Sequence, residues 1–194
     1  MMTAILDGFR RLADFSGRDR RGRFWPYALV VVVLLYVGLM LAMIPTMATM
    51  FGEAARFAAE HPDKATVVTG PGQYSVEIHD PASMPMLDLG PLFWAVRLVF
   101  VAAAILLAAA VTRRLHDTGR AGWWGLPPLV FAAIASTLFP WVIERLMQSE
   151  EAALGPFFLL FANNMLYIIS LIGLIVLLAL RGASGPNRYG AEAG

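Results

Sequence analysis

Four residues suited to anion binding or acid–base catalysis lie in the stretch 113–124, between two long apolar runs. They are Arg114, His116, Asp117 and Arg120. Arginine guanidinium groups match phosphate oxygens with paired hydrogen bonds, and a His–Asp pair can act as a base and its orienting group. Neighbouring residues of a helix point in different directions, however, and no Ser, Cys or Lys nucleophile accompanies the pair. The sequence has no HExxH, phosphate-loop or nucleophile-elbow motif, so we do not expect an enzyme.

The basic residues of this stretch are open to two interpretations. In the first, they anchor the topology beside a membrane, Asp117 caps the next turn or pairs with Arg114, and Gly119 and Gly122 supply turn geometry. In the second, basic residues from several segments converge and bind an anion or an anionic lipid headgroup. The hypothetical site then consists of Arg18, Arg21, Arg114, His116, Asp117, Arg120, Trp123, Asn187 and Arg188. Expected partners are the lipid bilayer, an anionic phospholipid, and a membrane protein or a second copy of the chain. No nucleic acid, metal or cofactor is expected.

The composition is that of a membrane protein. Of the 194 residues, 58% are hydrophobic and 15% are charged, whereas about 25% of the residues in soluble domains are charged. Four long apolar runs predict transmembrane helices over residues 26–50, 91–112, 124–143 and 157–180. The first run exceeds the roughly 7–15 apolar residues of a signal peptide, so we expect an uncleaved span. The predicted fold class is an all-α membrane protein, with one membrane domain over residues 1–194.

The segments outside the spans carry weaker patterns. In the outer loop, residues 51–90, a helix from Glu53 to His61 is followed by an alternating pattern over 66–79 that predicts a β-hairpin. His61, Asp63, Glu77, His79 and Asp80 lie in this loop, but they lack metal-ligand spacing, so we predict a solvated acidic loop. An amphipathic helix near Ile5 and Phe9 either lies on the membrane surface or packs on the protein.

The distribution of positive charge predicts the orientation. Eleven of the 15 Lys and Arg residues lie in the N-terminal segment, the hinge at 113–123 and the tail after residue 180. Lys and Arg are enriched in cytoplasmic loops. We therefore expect both termini and the hinge in the cytoplasm, and the outer loop on the opposite side.

Three polar residues interrupt the predicted spans. Arg97, Asn163 and Asn164 each lie about 9–10 Å from the outer end of a span, at 1.5 Å per residue. Ionisable residues inside a membrane usually face a partner or water, so we expect span two to pack beside span four, with Arg97 hydrogen-bonded to one of the asparagines. Alternatively, Arg97 extends toward the outer headgroups. This cluster supports a second functional hypothesis, a small transporter or channel-like subunit.

Three short motifs together resemble a known family. They are Phe15-Ser16-Gly17-Arg18 with Arg21 and Phe24-Trp25; Arg114 to Arg120 with Gly122-Trp123-Trp124; and Gly185 to Gly190. In this order they are similar to the small bacterial inner-membrane family called domain of unknown function 805. The chain departs from the family at Arg23, where an acidic residue is common, and in its long outer loop. The resemblance implies a multipass inner-membrane protein and no activity, substrate or catalytic residue.

Overall fold

The computed structural model describes residues 1–71, 73–79 and 89–192. Helices dominate it, and four of them are long and apolar enough to cross a membrane, as the sequence predicts. The elements in chain order are α1 (Met2–Arg10), α2 (Arg21–Glu60), β1 (Ala65–Gly70), β2 (Gln73–Ile78), α3 (Gly90–Asp117), a 3₁₀ turn (Gly122–Gly125), α4 (Leu126–Gln148) and α5 (Glu150–Ala179). These elements indicate a multipass membrane protein that also carries a small hairpin.

Helix α2 is longer than the predicted first span. Its 40 residues extend for about 60 Å at 1.5 Å per residue, roughly twice the thickness of a bilayer's hydrocarbon core. The segment that begins at Glu53, predicted to be helical, is therefore the continuation of α2 and not a separate helix.

The chain divides into two compact units, Met1–Val37 with Arg97–Gly194, and Gly38–Val96. In the second unit, β1 and β2 pair antiparallel from Ala65 opposite Ile78 to Gly70 opposite Gln73, which confirms the predicted hairpin. A two-stranded hairpin is marginal alone in water. Here Val76 and Ile78 pack on a small core that includes Phe57 of α2.

In the first unit, α4 and α5 form a closely packed helical hairpin. A single residue, Ser149, joins them, and its hydroxyl accepts a hydrogen bond from the Ala152 N–H at 3.1 Å, so it caps the start of α5. The prolines of the sequence Leu126-Pro127-Pro128 stand in the first turn of α4, where a missing N–H costs no helical hydrogen bond.

Helix α1 packs on the protein. Gly8 faces the ring of Tyr27 so closely that a Cβ at this position would overlap the ring. Phe9 meets the same ring edge-on, with centroids 5.2 Å apart. Met2 and Leu6, in contrast, are exposed. The inner face of α1 therefore packs on the protein, which is the second of the two interpretations of this helix.

Candidate functional site

Three parts of the first unit meet beside the hinge: the segment before α2, the last turn of α3, and the tail after α5. Tyr27 and Leu115 form the apolar base of this region together with Leu178. The Tyr27 hydroxyl donates to the Leu106 carbonyl at 2.6 Å, which ties α2 to α3. The hinge residues Arg113, Arg114 and Asp117 lie in the same last turns of α3 as Leu115 of this base.

Arg113 is the first buried cation, with 1% of its surface exposed. Its Nε donates to Asp19 Oδ2 at 2.7 Å. Its Nη1 donates to the Arg11 carbonyl at 2.9 Å and also to the Asp14 carbonyl. Arg113 therefore fastens the segment before α2 to the end of α3.

Arg114 is completely buried and reaches the end of α5. Its Nε donates to the Leu178 carbonyl at 2.9 Å, and its Nη2 donates to the Leu180 carbonyl. The last carbonyls of a helix lack partners within the helix, so Arg114 caps α5 from a distance of more than 60 positions in the chain. Its Nη1 donates to Asp117.

Asp117 lies between two arginines. It accepts from Arg114 and, at 3.2 Å, from Arg18 Nε. Arg18 also donates to the carbonyls of Ala183 at 2.5 Å and Gly185 at 2.7 Å, which holds the tail against α3. We name these five buried residues, Arg18, Asp19, Arg113, Arg114 and Asp117, the buried ion cluster; it carries three positive and two negative charges.

A second carboxylate stabilises the segment before α2 at its surface. Asp14 accepts from the Ser16 hydroxyl at 2.5 Å and from Arg11 Nε at 2.9 Å. These bonds, that from the hydroxyl first, lower the pKa of Asp14 to about 2, because they favour the ionised carboxylate. Asp14 is therefore charged at every physiological pH.

His116 points away from Asp117. Its ring stacks on the ring of Tyr189, with centroids 3.8 Å apart, and its carbonyl accepts from Asn187 Nδ2 at 3.0 Å. The Arg188 guanidinium lies 4.7 Å from the centre of the Tyr189 ring. His116, Asn187 and Arg188 thus meet at a contact between hinge and tail, while Asp117 belongs to the buried ion cluster.

A basic pocket of about 340 Å³ opens above the buried ion cluster. Its floor includes Arg18, Arg114 and Asp117, and exposed residues form its rim. The full lining is Arg18, Arg20, Arg21, Gly22, Arg114, Asp117, Arg181, Gly182, Ala183 and Glu192. Of the nine residues of the hypothetical anion site, four line this pocket.

The sequence reasoning did not assign Arg20, Arg181 and Glu192 to the site. Arg20 lies in the same basic run as Arg18 and Arg21, and this run is the sequence signal that could have identified it as part of the site. Arg181 follows Leu180, the residue directly after α5, and this position also suits a topology anchor. Glu192 lines the pocket because the tail folds back on itself. Its Oε2 accepts from the Gly185 N–H at 2.9 Å, and the sequence alone does not indicate this bond.

The remaining predicted residues of the site lie elsewhere. Arg120 donates to the Thr118 carbonyl at 3.3 Å. Trp123 is exposed and stacks on Trp124; it lines a separate apolar cavity of about 540 Å³ between α3, α4 and α5. These two residues do not line the basic pocket.

Two of the three polar residues predicted to lie within the spans, Arg97 and Asn163, donate hydrogen bonds to α4. Arg97 Nη2 donates to the Ser136 carbonyl at 2.8 Å, and Asn163 Nδ2 donates to the Phe131 carbonyl at 3.0 Å. The two acceptors are five residues apart on that helix, about 7.5 Å. Helix α4 therefore receives a side chain from α3 and one from α5; the direct bond between Arg97 and Asn163 or Asn164 stays a prediction.

Among residues 1–71, 73–79 and 89–192, no group of three or more His, Cys, Asp or Glu side chains is arranged to hold a metal ion. His61 Nδ1 lies 3.3 Å from the Phe57 carbonyl, and His79 Nε2 lies 3.2 Å from the Thr66 hydroxyl. Asp80, which the sequence places near them, is outside the described residues.

Residues 12–191 match the family described as "Protein of unknown function (DUF805)". Neither the curated proteins nor the solved structures gave a match. The matched range contains the buried ion cluster and all but one residue of the basic pocket's lining.

Proposed function

Because the chain belongs to the DUF805 family, whose description assigns no activity, we propose its function from the geometry. The protein is a non-enzymatic, multipass protein of the bacterial inner membrane that binds an anionic lipid headgroup in the basic pocket. Both termini and the pocket face the cytoplasm. The observation that carries this proposal is the charge of the pocket, which is lined by five arginines and only two carboxylates.

The floor and the rim of the pocket have different roles. The hydrogen bonds of Arg18 and Arg114 end on Asp117 and on backbone carbonyls, so these arginines supply a fixed positive field. Burial weakens the screening of such charges by water and salt. The exposed arginines supply the donors. Among them, Arg21 makes one long hydrogen bond, 3.4 Å, to the Ala179 carbonyl, and this bond is weak enough to be exchanged for a phosphate oxygen.

The position of the pocket suits a lipid headgroup. In a chain that crosses the membrane four times, the start of α2 and the ends of α3 and α5 lie on the same side. The pocket is built from these three ends, and this position supports a location at headgroup depth. Basic pockets between transmembrane helices on the cytoplasmic side bind anionic headgroups, and the N-terminal turn of α2 adds a favourable dipole.

The orientation can be tested by cysteine labelling, because the natural chain contains no cysteine. We expect a membrane-impermeant maleimide to label Lys64→Cys in intact spheroplasts and Ser184→Cys only in inverted vesicles. The positive-inside distribution is the reason. Labelling of Ser184→Cys in intact spheroplasts would reverse the proposed topology.

The headgroup site can be tested with matched pairs of substitutions. We expect Arg21→Gln/Arg181→Gln to lose about tenfold or more of its co-purifying anionic lipid, because two charge-assisted donors are removed. Native mass spectrometry in mild detergent measures the lipid. The control is Arg10→Gln/Arg23→Gln, which removes two exposed arginines from a different surface depression, beside α1. Equal lipid occupancy in the two double variants would refute the site.

The alternative function, a small transporter or channel-like subunit, rests on Arg97, Asn163 and Asn164. Arg97 and Asn163 each donate to a carbonyl of α4, an arrangement that suits interhelical packing in a membrane. The headgroup proposal accounts for more of the observations, because the basic pocket has no role in the alternative. Flux in liposomes that is lost in Arg97→Gln would favour the alternative.

A further inference from the structure

The charge of the basic pocket exceeds the charge of a common phospholipid. On the floor, Asp117 balances one of Arg18 and Arg114, and one positive charge remains. On the rim, the exposed guanidinium groups of Arg21 and Arg181 are opposed by one carboxylate, that of Glu192, which leaves a second positive charge. A phosphodiester headgroup brings a single negative charge to these two positive charges.

We propose that the ligand of the basic pocket is a terminal phosphate, that is, a phosphomonoester or diphosphate, and not the phosphodiester of bulk phospholipids. The inference rests on the proposed function and names the class of its ligand. The terminal phosphate belongs to a membrane lipid or to a soluble molecule, since both present the same group to the arginines.

The hydrogen-bond donors at the rim of the pocket favour the same class of ligand. A terminal phosphate carries about −1.5 to −2 charges at pH 7 and three strong acceptor oxygens, whereas a phosphodiester has two non-bridging oxygens. The rim offers the exposed guanidinium groups of Arg21 and Arg181. Because each guanidinium group binds phosphate oxygens in a pair of hydrogen bonds, these two groups can bind all three oxygens of a terminal phosphate.

Glu192 occupies part of the space where this phosphate binds. Its carboxylate lines the pocket and accepts from the Gly185 N–H at 2.9 Å, so it adds a negative charge that competes with the ligand for the rim arginines. A dianion outcompetes this single charge more readily than a monoanion does. Replacing the carboxylate by an amide removes the competition and tightens phosphate binding.

The test uses the full chain in mild detergent and two water-soluble lipids with the same acyl chains, dihexanoyl phosphatidic acid and dihexanoyl phosphatidylglycerol. Isothermal titration calorimetry at pH 7.5 is expected to show about tenfold tighter binding of the phosphatidic acid. The preference should shrink at pH 5.5, because the second pKa of a phosphomonoester is about 6. Phosphatidylglycerol, whose charge is constant over this range, controls for titration of the protein itself.

Variants and a competitor complete the test. Glu192→Gln should bind phosphatidic acid several-fold more tightly, and Arg21→Gln/Arg181→Gln should lose the preference, whereas Arg10→Gln/Arg23→Gln should keep it. Inorganic phosphate that competes as strongly as phosphatidic acid would support the phosphate class with a soluble source. Equal affinity for the two lipids would overturn this inference and leave the proposed function standing. No binding of either lipid would overturn both.

Discussion

Replacing Asp117 with alanine is expected to destabilise the protein by about 3–5 kcal/mol, the usual effect of removing one partner of a buried ion pair. Asp117 lies beside Arg18 and Arg114, whose side chains are 1% and 0% exposed. Without it, Arg18 and Arg114 lose the carboxylate that pairs with both of them. The midpoint of thermal unfolding in detergent, followed by size-exclusion chromatography, measures the effect.

Two further variants make the Asp117 result interpretable. Asp117→Asn keeps the shape and one acceptor oxygen, so its loss should be smaller and should remain measurable if the alanine variant does not fold. Glu53→Ala removes a carboxylate from the exposed pair with Arg56, 2.8 Å apart, and should cost less than about 1 kcal/mol. An unfolding midpoint of Asp117→Ala equal to that of Glu53→Ala would contradict a structural role for the cluster.

Arg113→Met is the second substitution for which we expect a large loss, again about 3–5 kcal/mol. Methionine replaces the apolar stem of the arginine, but among the described residues Asp19 then keeps as an ion pair only the longer contact with Arg11, at 3.4 Å. The carbonyls of Arg11 and Asp14 each lose the hydrogen bond from Arg113, and the Arg11 carbonyl keeps the one from the Asp14 N–H at 3.2 Å. Thermal unfolding of the purified variant gives the size of the loss.

A double-mutant cycle with Asp19→Asn separates the ion pair from the other effects. If the pair stabilises the fold, neutralising Asp19 in the Arg113→Met background should cost at least about 1 kcal/mol less than it does in the natural chain. Additive effects of the two substitutions would show that Arg113 acts only through its backbone hydrogen bonds.

The fold was predictable to the extent that it depends on local pattern. Four apolar runs are sufficient to predict four spanning helices, and alternation at Tyr74, Val76 and Ile78 is sufficient to predict β2. The continuation of α2 to Glu60 was not predictable in this way. A span ends where the apolar residues end, but a helix continues for as long as its backbone hydrogen bonds are made, and no proline follows Pro45 before residue 60.

The types of the residues were enough to predict many members of the site, but not to predict which residues they bind. The basic motifs and Asp117 could be identified as members of one region, and the pairing of Asp117 with Arg114 was one of the alternatives. Asp19 was harder to recognise, because it lies within a run of arginines and its partner, Arg113, is 94 positions away. Two acceptors of Arg114 are the backbone carbonyls of Leu178 and Leu180 at the end of α5, and a carbonyl leaves no signal in the residue type.

The buried and the exposed arginines therefore have different roles. Those with the strongest sequence signal, Arg18 and Arg114, are buried and bonded within the protein. Those with a weaker signal, such as Arg181, stand at the rim of the basic pocket. Substitution of the first group changes stability, and only the second group can change ligand binding without unfolding the chain.

The most direct measurement is a structure determined by electron microscopy in nanodiscs that contain phosphatidic acid. Our account predicts phosphate density in the basic pocket, in contact with Arg21 and Arg181, while Arg18 and Arg114 remain bonded to Asp117. An empty pocket in a well-resolved map, with anionic lipid bound instead at another surface, would contradict it.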